Sequence, residues 1–177
     1  LVITILWIGG ITNAINWLDG LDGLAAGCSA VLSIGVGLFS LLNNNLLICA
    51  LSFILAGSSL GFLRKNSYPS NIMIGDGGSY FLGNSLAILS IIGFTNINGG
   101  INPITPFILF FVPVFDMIFV INSRVKNGLS PFYPDKSHIH HRLIKNGYSY
   151  KNTVFIIYLV NLFFVITSLF FTKFVFN

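Results

Sequence analysis

Five long apolar runs constrain the fold more than any other feature of this sequence. Only 8% of the residues are charged, whereas soluble domains carry about a quarter charged residues. A membrane-spanning helix needs about 20 mainly apolar residues, with some latitude. Five runs fall within that latitude: 24–42, 46–63, 79–94, 103–122 and 153–172. We therefore predict an all-α, polytopic transmembrane helix bundle with five full spans, forming a single membrane domain over residues 1–177.

The opening apolar run, residues 1–11, is shorter than the others. As a helix it would cover about 17 Å, against a hydrocarbon core of about 30 Å. We therefore expect it to be a truncated first span, cut within the membrane by the start of the chain.

The basic residues predict the orientation of the bundle. If every run crosses the membrane, the connectors 11–23, 64–76 and 123–152 share one side. Eight of the nine Lys and Arg residues lie on that side, and only Lys173 lies opposite. The positive-inside rule makes this side cytoplasmic. Four of the five Asp and all three His lie on or at the edge of the same face. We expect the chemistry at the cytoplasmic face of the membrane.

The first polar motif repeats an amide or a carboxylate every three residues, at Asn13, Asn16, Asp19 and Asp22. Neighbouring members of such a row share a helix face. Two carboxylates and two amides at a membrane edge supply the oxygen ligands that a hard cation prefers. The alternative is a polar helix terminus in which Asn and Asp serve as caps and turn residues. The cost of placing carboxylates at membrane depth favours the functional interpretation.

The second motif places Asp76 among three glycines, directly before Ser79 and an apolar run. Glycines permit a ligand to approach the backbone closely, and the N-terminus of the following helix favours anions. Asp76 could hold Mg²⁺ while the helix end accepts phosphate oxygens. A simple helix cap is the alternative. The predicted position opposite the first motif favours the functional interpretation.

The third motif lies in the largest predicted loop, 123–152. It brings imidazoles and cations together beside aromatic residues, at Lys136, His138, His140, His141 and Arg142. Such a cluster suits a pyrophosphate and a sugar ring, because Lys and Arg stabilise phosphate charge. Two alternatives stay open. His138 and His141 have the i,i+3 spacing of a helical zinc site, and a basic loop can serve topology alone.

Asp116 lies inside the predicted fourth span, nearer its cytoplasmic end. A carboxylate at this depth should face the bundle interior and pair with a polar neighbour. The sequence is equally consistent with structural hydrogen bonding and with catalysis at this residue.

These three motifs, in this order, resemble those of the polyprenyl-phosphate N-acetylhexosamine-1-phosphate transferases, in glycosyltransferase family 4. The resemblance covers residues 13–141 and rests on Asn13-x-x-Asn16-x-x-Asp19-Gly-x-Asp22-Gly and Gly75-Asp76-x-Gly-Ser79. The histidine segment, 130–141, is similar to the WecA/TagO branch and differs from the related MraY enzymes.

The resemblance implies transfer of N-acetylhexosamine-1-phosphate from a UDP-sugar to undecaprenyl phosphate, with UMP released, as an initiating step of cell-envelope polysaccharide synthesis. It implies Mg²⁺, or alternatively Mn²⁺, held by Asp76 and Asn16 on the donor pyrophosphate. The implied catalytic residues are Asp19, Asp22, Asp76, His138, His140 and His141. The implied substrate-binding residues are Asn13, Asn16, Asn66, Lys136 and Arg142. Nucleic acid is not an expected partner, and a homodimer is compatible with the family.

The family pattern also includes an adjacent Asp pair on an earlier loop, and this sequence contains no adjacent Asp pair. We therefore expect the acceptor-side carboxylates to lie upstream of these residues, and the 177-residue chain alone to be inactive. The competing function is an ion- or proton-coupled membrane transporter, which would spread acids through the membrane. Only Asp116 is predicted to lie deep. A non-catalytic membrane scaffold is a second alternative, and it would not require a glycine-flanked Asp opposite an Asn/Asp row.

Overall fold

The computed structural model describes residues 1–95, 104–131, 133 and 135–175, with side chains described as far as Thr172. The described chain is helical, with eight helices in the order α1 Val2–Trp17, α2 Leu24–Leu42, α3 Leu46–Asn66, α4 Gly75–Gly93, α5 Ile104–Leu109, α6 Phe111–Lys126, α7 Ile139–Lys145 and α8 Tyr150–Val175. The prediction of an all-α fold is confirmed for these residues.

Within the described residues, three helices are long and apolar enough to cross a membrane, judged by length and composition. They are Leu24–Leu42, Leu46–Asn66 and Tyr150–Thr172. They correspond to the first, second and fifth predicted spans. The total of five spans stays a prediction.

The other two predicted spans take a different form. The run 79–94 lies within α4 except for Phe94, the C-cap residue, and α4 begins at Gly75 and so includes the Asp76 turn. The run 103–122 is divided between α5 and α6 at Phe110. Pro113 lacks the N–H that would bond to the carbonyl of Leu109, the last residue of α5. Pro103 and the predicted loop residues 96–102 lie outside the described part of the chain.

The central span is α2, which packs against α3, α4 and α8. In its apolar stretch 78% of the residues are buried, against 28% for α3 and 22% for α8. Small residues on α2 permit this close packing. A side chain at Gly27 would overlap the phenol of Tyr158, and one at Gly35 would meet Val165. In lipid, such close backbone approach replaces the hydrophobic driving force between helices.

A second close approach joins α1 to α4. A Cβ added at Gly83 would lie 2.8 Å from the Cα and 2.9 Å from the carbonyl oxygen of Thr12. Only glycine leaves room for this backbone contact. One helical turn away lie Asn16 on α1 and Ser79 on α4. The contact therefore brings the first and second polar motifs together.

Candidate active site

The α1–α4 junction joins Asn16 to the Gly-Asp motif. The Asn16 amide donates to Asp76 Oδ1 at 3.2 Å and to Ser79 Oγ at 2.9 Å. Ser79 is buried, whereas Asp76 is exposed. Rotation of the Asn16 amide would place its oxygen beside the carboxylate, giving two oxygen atoms side by side. This is the oxygen chemistry that Mg²⁺ prefers.

Asp19 lies in the turn between α1 and α2, close to the same junction. Burial, together with the negative charges of Asp76 and Asp22, raises the pKa of its carboxyl to about 6. Asp19 therefore lies near enough to both other carboxylates to be repelled by them. A divalent cation would relieve this repulsion, because it favours the ionised form of each carboxyl.

The α1–α4 junction offers only a few protein ligands to a metal ion. In the described ranges, no three His, Cys, Asp or Glu side chains converge on one point that could hold a metal ion. Magnesium usually keeps several waters and is bound through one or two carboxylates together with substrate phosphates. The Asn16–Asp76 pair beside Asp19 fits a magnesium ion held jointly with a phosphate-bearing substrate.

Asp22 and Asn66 hold the connector between α3 and α4 against the α1–α2 turn. Asp22 accepts hydrogen bonds from the backbone N–H of Ser70 at 3.0 Å and from its hydroxyl at 2.8 Å. Asn66 accepts from Gly23 N at 3.1 Å and donates to the carbonyl of Ile72 at 2.9 Å. Asn66 is only 4% exposed. Its polar atoms thus organise the protein here, and its role toward a substrate stays a prediction.

Asn13 is the predicted site residue that the structure does not bring to the group. Its amide donates to the carbonyl of Gly9 at 2.9 Å, within its own helix. It lies three residues before Asn16 on α1, and the side-chain hydrogen bond described for it stays within that helix.

Through the rings of His138 and His140, the histidine segment packs against α1 and the turn that follows it. His138 is buried, its Nδ1 lies 2.8 Å from Asp116 Oδ2, and its ring meets the Trp17 ring edge-on at 5.6 Å. The His140 ring lies parallel to the His138 ring, with 5.7 Å between the ring centroids. A side chain at Gly20 would overlap His140 Nε2. The histidine segment therefore packs directly on the Asp19–Asp22 turn.

The electrostatic state of His140 differs from that of a solvated histidine. Burial, together with the charges of His141 and His138, lowers its pKa to about 4, against the opposing charge of Asp116. The ring is 1% exposed, and neither ring nitrogen has a hydrogen-bond partner among the described residues. His140 is therefore neutral at neutral pH and retains both a donor and an acceptor for another group.

The remaining cationic candidates are less confined. His141 is half-buried, and burial, together with the charges of His138 and Lys136, lowers its pKa. Lys136 is exposed. The Arg142 guanidinium lies 3.9 Å over the Phe119 ring on α6, so it is held against an aromatic face.

Arg124 is the main residue of this region that the sequence did not identify as part of the site. It is 4% exposed, bonds to Asp135 Oδ1 at 2.6 Å and to the carbonyl of Pro131 at 2.6 Å, and lies 4.9 Å over the Trp17 ring. In the sequence it counted only as a topological charge. Its position at the end of a mainly apolar helix was the available signal.

An apolar groove of about 560 Å³ runs between α3 and α4. It begins at Ile74 and Gly78, beside the Asp76 turn, and reaches Leu51 and Ile88. The carboxylate group thus lies where a polar face meets an apolar surface.

Comparison with known proteins identifies relatives across the chain. A sequence profile of glycosyl transferase family 4 matches residues 1–94. A probable undecaprenyl-phosphate N-acetylglucosaminyl 1-phosphate transferase of Bacillus subtilis (strain 168) is 44% identical over 167 residues, covering 94% of this chain and 47% of the relative. A decaprenyl-phosphate N-acetylglucosaminephosphotransferase of Mycobacterium tuberculosis (strain H37Rv) is 37% identical over 182 residues, covering 90% of this chain and 44% of the relative.

A phospho-N-acetylmuramoyl-pentapeptide-transferase of Prochlorococcus marinus (strain MED4) is 44% identical over 93 residues, covering 51% of this chain and 26% of the relative. The chain spans a little under half the length of the first two relatives. The profile match covers more than half of its residues, and this chain belongs to glycosyl transferase family 4.

Proposed function

We propose that the protein transfers N-acetylhexosamine-1-phosphate from a UDP-sugar to undecaprenyl phosphate and releases UMP. The observation that carries the proposal is the contact of Asn16 with Asp76 and Ser79, beside the Asp19 carboxylate. The Bacillus subtilis relative is named for undecaprenyl phosphate and N-acetylglucosamine, so UDP-N-acetylglucosamine is the first donor to test. The relatives give no support to the transporter alternative.

The proposed reaction joins two anions, because a lipid phosphate attacks the pyrophosphate of the donor. Such a step needs charge neutralisation and positioning more than covalent chemistry from the protein. Magnesium, when bound, would polarise the pyrophosphate and neutralise its charge. Asp76 and Asn16 would hold it, and Asp19 and Asp22 would line the nucleotide side.

The histidine loop would supply further groups for the donor, beside the Asp19–Asp22 turn. His140 is neutral and can donate or accept a hydrogen bond, while Lys136 and Arg142 are cations suited to phosphate oxygens. The loop rests on Gly20. Groups from two separate motifs would thus meet one pyrophosphate.

The direct experiment uses the complete gene product that contains these 177 residues, in membranes free of related enzymes. Radiolabelled UDP-N-acetylglucosamine, undecaprenyl phosphate and Mg²⁺ should give a lipid-linked sugar and UMP. Chelation should stop the reaction, and Mg²⁺ or Mn²⁺ should restore it. Absence of product with every UDP-N-acetylhexosamine tested would contradict the proposal. Metal analysis of the purified protein tests the zinc alternative. Stoichiometric zinc that is lost on His141→Ala would favour that alternative.

The site is proposed to face the cytoplasm, across a bundle of five full spans in the inner membrane. The support is the asymmetry of eight Lys and Arg residues against one. In a Cys-free background, a single cysteine at Asn44 should react with an impermeant thiol reagent added to intact cells. A cysteine at Ser137 should react only after the cells are opened. Labelling of position 137 in intact cells would reverse the orientation.

Residues 1–177 expressed alone are proposed to be inactive, because the adjacent Asp pair of the family pattern is absent from this sequence. Loss of acceptor positioning forfeits roughly 7–11 kcal/mol of barrier reduction. Product above that of the same chain carrying Asp76→Asn would show that the acceptor site lies within these residues.

A further inference from the structure

Both ring nitrogens of His138 are already engaged by the protein. Nδ1 lies 2.8 Å from Asp116 Oδ2, and Nε2 lies 3.5 Å from Arg124 Nη2. A carboxylate can only accept a hydrogen bond and a guanidinium can only donate one. The neutral ring therefore carries its proton on Nδ1 and directs the Nε2 lone pair to Arg124. With 7% of the residue exposed, little of this ring remains for a ligand.

Asp116 fixes the backbone next to the ring as well as the ring itself. Its second oxygen, Oδ1, accepts a hydrogen bond from the N–H of Ile139 at 2.7 Å. Ile139 is the first residue of α7, and Asp116 is 2% exposed. One buried carboxylate on α6 thus sets both the orientation of His138 and the start of the helix that carries His140.

Arg124 completes the connection on the other side of the ring. Its guanidinium bonds to Asp135 and to the carbonyl of Pro131 and lies over Trp17, the residue that follows Asn16. The contacts from Asp116 through His138 to Arg124 form a chain, the latch. The latch therefore connects α6, the histidine loop and α1.

His140 presents the opposite situation two residues further on. Its ring lies parallel to that of His138 at 5.7 Å, is 1% exposed, and has no hydrogen-bond partner for either nitrogen in the described part of the chain. It packs on Gly20, between Asp19 and Leu21. A buried polar group without a partner is costly unless a ligand or an ordered water supplies one.

We propose that Asp116 and Arg124 are positioning residues that act through His138, and that the latch sets His140, rather than His138, as the imidazole that meets the donor substrate. This inference rests on the proposed transferase function. It assigns different tasks to two histidines that the sequence motif treats alike.

The test compares variants of the complete gene product by kcat and donor KM. His138→Asn places an amide near the position of Nδ1 and can still donate to Asp116, so kcat/KM should fall clearly less than in His138→Ala. His138→Ala leaves Asp116 and Arg124 without that partner and should lower kcat/KM by about 10- to 100-fold, the range typical of residues that orient a functional imidazole.

Asp116→Asn keeps the size of the side chain and the bond to the Ile139 N–H. Its amide nitrogen, however, would face Nδ1 of His138 as a donor. The proton of the neutral ring would then move to Nε2, where it opposes the donor Arg124, so kcat/KM should fall by about 10- to 100-fold. The double variant Asp116→Asn/His138→Asn should recover most of this loss, because two amides can pair. The exposed Asn122 on the same helix provides the control, and Asn122→Ala should match the parent.

A cycle with His140→Ala tests the path of the effect. If the latch acts through His140, Asp116→Asn should cost little more in the His140→Ala background, since coupled residues are non-additive. The proposal is overturned if His138→Asn is as damaging as His138→Ala, if the double variant is no better than Asp116→Asn, or if the two losses add in full.

A second measurement is independent of turnover. In ¹⁵N-histidine NMR of the complete gene product at mildly alkaline pH, the His138 signal can be assigned by its loss in His138→Asn. The proton should reside on Nδ1 in the parent and on Nε2 in Asp116→Asn. If the parent makes no lipid-linked sugar, the proposed function fails while NMR still decides the tautomer. An active parent with the Nε2–H tautomer would overturn the latch alone.

Discussion

The α1–α4 junction and the α6–α7 junction contain similar polar groups and use them in opposite ways. At the first, Asp76 is exposed, its neighbour is one amide of Asn16, and the pKa of nearby Asp19 is raised. At the second, Asp116 is buried and accepts two hydrogen bonds. A carboxylate with few hydrogen bonds from the protein is available to a cation or ligand. A carboxylate that the protein itself hydrogen-bonds holds its neighbours in place.

Asp135 resembles Asp116, because the protein itself supplies its hydrogen-bond partners. Burial acts to raise the pKa of its carboxyl, but hydrogen bonds from Arg124 and Ser137, with the charge of Arg124, outweigh burial and hold the pKa below its ordinary value. The pKa of Asp19 shifts in the other direction, because burial raises it and the acidic neighbours Asp76 and Asp22 add to that effect. The two shifts separate a region that would gain from a bound cation from one that already has its cation.

Asp76→Asn should have the largest effect, because it removes the negative charge of Asp76 from the α1–α4 junction. Turnover of the complete gene product should fall by roughly 10³-fold or more, the loss expected when a metal-held phosphate contact disappears. Thermal stability should hardly change, because Asn can still accept from Asn16. Lys126→Gln, which removes an exposed charge on α6, is the control. Near-normal turnover would show that Asp76 is only part of a helix end.

Gly20→Ala should break the contact between the two regions. The added methyl group would overlap His140 Nε2, so the histidine segment must move away from the Asp19–Asp22 turn. A misplacement of about 1 Å can cost 10²-fold in rate, and a loss of that order in kcat/KM is expected. Gly57→Ala is the matched control, since nothing lies within 4 Å of a Cβ there. Equal activities of the two variants would mean that His140 need not stay at its present position.

Asp22→Ala should loosen the connector between α3 and α4. It leaves the N–H and hydroxyl of Ser70 without their acceptor, which should lower the free energy of unfolding by about 2 kcal/mol. Trypsin should cut faster after Arg64 and Lys65, which precede the connector. Asp22→Asn retains one acceptor and should lose less. Unchanged cleavage in Asp22→Ala would show that Asn66 alone holds the connector.

The smallest effect concerns pH and sharpens the contrast for His140. Its pKa is lowered from the ordinary 6.5 to about 4 by burial and nearby charge, so between these values the unfolded chain binds more protons. Stability from this residue is present above pH 6.5 and is lost as the pH falls toward 4, by about 1 kcal/mol at pH 5.5. Thermal melts of the parent and of His140→Gln should differ in slope below pH 6.5. Parallel pH profiles would contradict the lowered pKa.

Several helices were predictable because local composition decides them. The run 24–42 matches α2 at both ends, since the Asn43–Asn45 segment and Gly23 bound a continuous apolar stretch. The start of α4 was less predictable. Its three glycines suggested a loop before Ser79, whereas the helix begins at Gly75. Intrinsic propensity is a weak guide when tertiary packing favours another conformation.

The Asn/Asp row shows what a motif can and cannot determine. Its spacing of three residues fixed which side chains neighbour one another on α1, and its resemblance to the family motif came from the sequence alone. Only Asn13 and Asn16 lie on α1, which ends at Trp17, whereas Asp19 and Asp22 lie in the turn before α2. The helical row therefore ends at Asn16, and helix geometry alone does not align all four members. The Gly83–Thr12 contact selected Asn16 for Asp76 and left Asn13 bonded to its own helix.

The sequence by itself determined the apolar runs, the charge asymmetry and the residue types of the three motifs, because these are local properties of the chain. Only the tertiary structure decided which polar groups are satisfied. Asp116 lies 22 residues from His138, and Gly20 lies far along the chain from His140. Whether a carboxylate or an imidazole finds a partner depends on which helices pack together, and packing is set by contacts between residues distant in sequence.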